Sequence, residues 1–268
     1  EGERPGILVA PFSRPFALGR LRLELLPSGH VPGSAQLLVE RPGRRLLYAG
    51  DVNPLSGRAV EPAQVRGCDA LFFDAPLAPL VRALPPREEV EAALILEVRR
   101  ALDEGKHPLV LAPALGGAGE VAILLEQAKV PFRAHRKIAA LLSAYRRFDA
   151  PVEVAPARAR RFEGSLSPGE ALLWPLELSP PALDGARRLH VSGEALDPAF
   201  APAGSAAFPL SDHGDLPSLI GFAKDTGARD VYLLAAQLTD EVARAFRARR
   251  LRVHALFAPE QTQLFAPS

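Results

Sequence analysis

The chain has 268 residues, enough for one large or two modest domains, and its 48% hydrophobic and 24% charged content excludes a polypeptide dominated by disorder. With 32 Lys and Arg against 31 Asp and Glu the net charge is +1, so attraction for nucleic acid must come from local patches and not from the chain as a whole. The single Cys68 excludes an internal disulfide framework, and no apolar run approaches the roughly 18–20 residues of a membrane helix. The first residues lack the basic-then-apolar layout of an export signal, so a cytoplasmic protein is expected.

Short apolar runs separated by Gly and Pro turns predict strands over residues 6–10, 21–26, 35–40, 46–49 and 70–73. Cys68, just before the last of these, reads as a buried strand residue and not a nucleophile. After Pro85 and Pro86, the spacing of Val90, Leu94, Val98, Ala101 and Leu102 predicts an amphipathic helix over 87–104. A strand over 108–113, a helix over 119–128, a strand over 130–133 and a helix over 137–148 follow, an alternation that predicts a parallel sheet with helices on its faces. Weaker patterning places strands at 171–176 and 188–192. From residue 207 a strand leads into Asp212 and His213, followed by a helix over 216–226, a strand over 231–234, a helix over 239–249 and a strand over 252–256.

Several of these places carry chemistry. His30 lies between Gly29 and Gly33, which let the chain turn tightly around it, and Asp51 emerges where the apolar run 46–49 ends. One imidazole and one carboxylate on successive strand ends is how a dinuclear metal site is built; singly, a loop histidine and a turn-forming or capping aspartate are the plainer readings. The segment 208–215 adds the pair Asp212 and His213, with Asp215 beyond. The loop 113–120, containing Gly116 and Gly117, joins a strand to a helix and invites a phosphate cradle, because amides at a helix start attract anions. It lacks the Lys-Ser/Thr of a nucleotide-binding loop, so a tight connection is the simpler reading. Basic residues cluster at Arg133, His135, Arg136 and Lys137, at Arg146 and Arg147, at Arg158, Arg160 and Arg161, and at Arg247, Arg249, Arg250 and Arg252. The first three clusters, if they share a face, would neutralise several phosphates; solvated helix faces are the alternative. Tyr145, Phe148 and Trp174 are the aromatic candidates for base stacking near them.

The order GHVPGSAQ at 29–36, YAGD at 48–51, FFDA at 72–75 and FPLSDHGD at 208–215 resembles the metallo-β-lactamase-fold nucleases of the β-CASP type, and most closely the bacterial ligase-associated DNA exonucleases, over residues 21–255. The resemblance implies an α/β chain: a partial metallo-β-lactamase-like αββα sandwich, residues 1–85 with 204–268, and an inserted β-CASP-type α/β domain, residues 86–203. It implies that His30 is a zinc ligand, that Asp51 bridges two ions, that Asp74 supports the site and that His213, flanked by Asp212 and Asp215, assists the departing oxygen. It also sets the loop with Gly116 and Gly117 near a nucleic-acid path, for which charge clustering alone makes Arg136, Lys137, Arg146 and Arg147 the basic candidates.

Three departures qualify the likeness. No His-x-His-x-Asp-His segment occurs in the sequence, Ala235 stands where the family's last histidine ligand is expected, and Gly117 stands where a basic residue is usual. The resulting expectation is a degenerate member without independent catalysis, serving as a nucleic-acid-associated or partner-binding subunit. The alternatives are a metal-dependent phosphodiester hydrolase whose remaining ligands come from elsewhere, and a cleft repurposed for a small molecule. Zinc, or manganese in its place, is the implied cofactor, with none if the site is a relic. The implied partners are DNA or RNA, an active nuclease homologue, or a repair partner of the ligase or helicase type, and not a membrane.

Overall fold

A computed structural model describes residues 8–146 and 159–256. Arg147, Phe148 and Arg158 lie outside the described residues, as do residues 6 and 7 of the first expected strand. The fold is mixed α/β and is built on two sheets, in agreement with the expected class.

The first sheet has seven strands in the order β1-β2-β3-β4-β5-β12-β13. β1 (Phe16–Leu18), β2 (Leu21–Pro27), β3 (Ala35–Arg41) and β4 (Arg44–Asp51) form an antiparallel meander. β5 (Ala70–Asp74), β12 (Asp230–Leu234) and β13 (Arg252–Leu256) continue it in parallel. Alternation along these strands sends Leu26, Leu38, Leu47, Leu71, Phe73, Val231 and Leu233 to one face. There they pack on Leu219, Phe222 and Ala223 of α4 (Leu216–Asp225) and on Val242 and Phe246 of α5 (Asp240–Ala248). Both helices start as capping chemistry requires: Asp215 accepts from Ser218 N at 2.8 Å, and Thr239 Oγ1 accepts from Val242 N at 3.2 Å.

The second sheet has six strands, all parallel, in the order β11-β10-β6-β9-β7-β8. They are β6 (Pro108–Ala112), β7 (Phe132–Ala134), β8 (Arg160–Arg161), β9 (Ala171–Pro175), β10 (Arg187–Val191) and β11 (Ala206–Phe208). β6 is buried at every position, the mark of a central strand covered on both faces. One face meets α1 (Arg87–Asp103), α2 (Gly117–Gln127) and α3 (Arg136–Tyr145). The other carries Leu109, Leu111 and Leu172 beneath Phe162, Leu166, Trp174 and Leu183.

Some expectations are corrected. Residues 8–10 are not a strand; the meander begins instead with the short β1. The strand expected to lead the chain back into the first sheet, β11, pairs in parallel with β10 of the second, because Ala206, Ala207 and Phe208 lie opposite Leu189, His190 and Val191. β11 is therefore a strand of the second sheet, and the chain next contributes a strand to the first sheet at β12. Cys68 is buried as expected but is not the strand residue expected, since β5 begins two residues later, and burial pushes its thiol up. Among the described residues no helix is long and apolar enough to cross a membrane.

Candidate functional site

Three loops meet where the sheets adjoin, and main-chain hydrogen bonds fasten them. Asn53 N after β4 donates to Ser28 O after β2 at 2.9 Å, and Gly214 N donates to Val52 O at 3.0 Å. Gly29, at φ +77, is required: a Cβ there would lie 2.0 Å from Asn53 O. Ser34 completes the turn around His30, its Oγ donating to Val31 O at 2.7 Å. Gln36 Nε2 ties the same loop down by donating to Pro27 O at 2.7 Å and to Gln64 O at 2.9 Å.

These constraints bring His30, Asp212 and His213 together, each offering a ligand atom within 4.8 Å of the others. His30 Nδ1 is 3.2 Å from Asp212 Oδ2 and 3.3 Å from Asp212 O. His213 Nε2 is 3.9 Å from Asp212 Oδ1, and the two imidazoles lie 4.5 Å apart between ring centroids. His213 N donates to Ser211 Oγ at 2.9 Å, which fixes the backbone beneath the ring. On the far side of that ring, Nδ1 faces Asp51 Oδ1 at 3.5 Å, too far for a hydrogen bond, and has no hydrogen-bond partner among the described residues. Burial lowers the proton affinity of His213 against the opposing pull of Asp212, so the ring is neutral near pH 7. Asp74 pairs in register with Asp51 at the ends of β5 and β4, and burial, then the Asp51 charge, raise its pKa.

Asp215, expected beside the site, is the N-cap of α4 and also accepts from Leu84 N at 2.7 Å. The glycine loop reaches the cluster from the second sheet. Gly116, at φ +78, is pressed on Asp212, and a Cβ there would fall 1.7 Å from Asp212 Oδ2. This contact accounts for a glycine at 116 without any phosphate. Arg136 and Arg146 are exposed at the two ends of α3, while Lys137 is joined to Glu177 at 2.8 Å. Tyr145 is buried in the core beneath Gly119 and offers no stacking surface; Trp174, half-buried, packs edge-on against His135 at 4.4 Å. Arg133 is tied to Glu170 at 2.8 Å.

The sequence reading missed the ionic joint that aligns these loops. Arg87, the first residue of α1, donates to Ser211 O at 2.8 Å and to Glu120 Oε2 at 2.9 Å. Glu120, 3% exposed, also accepts from Arg58 N at 2.8 Å and from Ala59 N at 2.9 Å, while Arg58 pairs with Glu91. The carbonyl that Arg87 holds immediately precedes Asp212. A signal existed in the helical phase: Glu91 lies three and seven residues before Leu94 and Val98, on the buried side of α1.

The donor set decides what metal the cluster fits. About three protein ligands are needed for each catalytic zinc. His30, Asp212 and His213 could supply three ligands to one ion; among the described residues no second group of three or more such side chains is found.

No family model matches the sequence. A probable DNA ligase of Opitutus terrae is 27% identical over 90% of this chain and 24% of its own length. An endoribonuclease ysh1 of Emericella nidulans is 32% identical over 46% of this chain and 14% of its own. An RNase J-like protein of Methanocaldococcus jannaschii is 26% identical over 39% of this chain and 25% of its own. The chain thus spans a quarter or less of the length of these relatives. A solved structure from Enterococcus faecalis V583, of a protein of unknown function, shares the fold, with a TM-score of 0.56 over 96% of this chain and 66% of that one at 13% identity. Sequence likeness to proteins of these names, carried on two adjoining α/β sheets, supports the resemblance to the metallo-β-lactamase-fold nucleases of the β-CASP type.

Proposed function

We propose that this chain is a nucleic-acid-associated member of its family that does not by itself hydrolyse phosphodiesters, and that it works in a cytoplasmic setting beside DNA or RNA, an active homologue, or a ligase- or helicase-type repair partner. The observation that carries the reading is Ala235. It follows β12 directly, at the same edge of the sheet as Asp74, and Gln237 of the same turn accepts from Ala75 N at 2.9 Å. A metal ligand is expected at that strand end, and a methyl group cannot serve. In this proposal the discontinuous unit of residues 1–85 and 204–268 holds the site, with its return point moved past Phe208, and the inserted unit of 86–203 contributes the basic α3. Arg136 and Arg146 meet phosphates, and Lys137 does so after exchanging Glu177 for them. Arg147 and Gly117 remain part of the proposed path.

A second reading, a metal-dependent hydrolase completed from elsewhere, is favoured by one observation: His213 stands between Asp51 and Asp212 with its proton affinity lowered by burial, as a general base requires. Zinc or manganese, when bound, would supply Lewis acidity; the chain's own residues would orient His213 and exclude water around it.

The test is binding of fluorescent single-stranded DNA across a salt series by the chain and by an Arg136→Ala, Arg146→Ala variant. Loss of two phosphate contacts should weaken binding and reduce the salt slope by about 1.4. Equal, negligible binding by both proteins would sink the nucleic-acid reading.

A further inference from the structure

We infer that the groove between α4 and α5 docks an amphipathic helical segment of a partner protein, its apolar side chains seated in the groove and its carboxylates at the rim. This surface is separate from α3, so the assignment stands whether or not nucleic acid binds there.

The groove has a volume of about 520 Å³ and runs between residues 216–224 on one side and 245–249 on the other. That lies within the roughly 300–1,000 Å³ of pockets that enclose a ligand. Ile220, Ala245 and Ala248 line it with hydrocarbon, and among the described residues no carboxylate and no aromatic ring does so. A helix laid in an apolar groove is held by side chains at i, i+3 or i+4, and i+7.

Two features of the groove have no use within the chain. Gly221 lies inside α4, where only proline is a poorer helix former, yet a Cβ there would meet nothing within 4 Å. No neighbour requires the missing side chain; a partner backbone lying along the groove would. Val81 follows the short 3-10 turn Ala78–Leu80 and takes a left-handed backbone, φ 52 and ψ 34, which a β-branched residue rarely adopts. It lines the groove and is 40% exposed. Backbone strain of this kind collects where ligands are clamped.

Charge sets the chemistry of the occupant. Lys224 and Arg249 line the groove, and Arg247 and Arg250 stand beside it in sequence, all four exposed. Among the described residues the ion pair on α5 is Arg244 with Glu241 at 3.9 Å, and these four cations make none. A cationic rim around an apolar floor complements an acidic amphipathic segment. Nucleic acid fits less well, since the floor offers no ring on which a base could stack.

The probe is a fluorescein-labelled synthetic helix of roughly 16 residues, with leucines at i, i+3 and i+7 and glutamates at both ends. The control is the same peptide with lysines in place of the glutamates. Fluorescence anisotropy should show saturable binding of the glutamate peptide alone, and amide shifts of the isotope-labelled chain should centre on Ile220, Gly221, Ala245 and Ala248. A Lys224→Glu, Arg249→Glu variant should bind about tenfold more weakly. Gly221→Leu, which fills the groove and is a better helix former, should abolish binding while urea unfolding shows the fold retained. No binding of the glutamate peptide, equal binding of both peptides, shifts centred elsewhere, or unchanged affinity in both variants would overturn the assignment. Binding of single-stranded DNA or phosphatidylserine vesicles that the double variant loses, without peptide binding, would overturn it in favour of a phosphate-binding rim.

Discussion

The two sheets solve the burial problem differently. In the six-stranded sheet every strand runs parallel and β6 is buried along its whole length, with helices on one face and the segment around Trp174 on the other. In the seven-stranded sheet only the face under α4 and α5 is closed; on the other, Tyr48 is 54% and Leu234 44% exposed, and Phe72 stacks on Tyr232 at 4.3 Å. The half that buries less carries the candidate site: His30, Asp51, Asp74 and His213 all stand at strand ends or in loops of the first sheet. The second sheet reaches the cluster through Gly116 and through the joint of Arg87 and Glu120. A closed parallel sheet gives rigidity, and the open mixed sheet offers the edges on which polar groups can converge.

Cutting the joint should have the largest effect. Glu120→Ala takes a buried carboxylate from Arg87 and leaves the amides of residues 58 and 59 without their acceptor, and should lower stability by about 3–5 kcal/mol in urea unfolding. A loss under about 1 kcal/mol would mean that the halves do not depend on this joint. Within the closed half, Leu172→Ala should cost about 2–5 kcal/mol, since Leu172 is fully buried in β9. On the open face Tyr48→Ala should change stability by no more than about 1 kcal/mol; parity between the two variants would erase the contrast. Gly116→Ala combines a left-handed backbone with the collision against Asp212, so it should destabilise by upward of about 1 kcal/mol and displace Asp212.

The smallest effect concerns the rim of the open sheet. Hydrogen bonds from Arg252, then His254, hold the Asp230 carboxyl well below the usual carboxylate range. Because the folded pKa is depressed, the contribution is complete above the unfolded pKa and is lost as pH falls through the folded one. Asp230→Asn should therefore cost less than about 1 kcal/mol at neutral pH and flatten the acid side of a stability profile below about pH 5.

Local patterning was enough to read most elements on both sheets, but not the short β1 and β8, and it placed a strand at residues 8–10 where there is none. The meander's later strands and the helices over 87–104 and 216–226 emerge where periodicity places them. Which sheet a strand joins was not legible: β11 looks like an approach to Asp212 in the sequence, yet its partner is β10, more than a dozen residues earlier. Glycines at 29 and 116 could be flagged, but not that their absent side chains make room for Asn53 and Asp212. The same limit applies at the cluster. The motif order draws attention to His30, Asp51, Asp212 and His213, but not to the meeting of Asp212 with His30, a contact across 182 residues. Arg87 and Glu120 could not be paired without the fold, since nothing in either helix names its partner.

The most direct measurement is the fate of end-labelled single-stranded DNA and RNA incubated with the chain in zinc or manganese, beside the His30→Ala variant. The expected result is full-length nucleic acid in every lane, at protein concentrations where binding is complete. Metal-dependent shortening by the chain that vanishes in His30→Ala would contradict the proposal and establish a hydrolase.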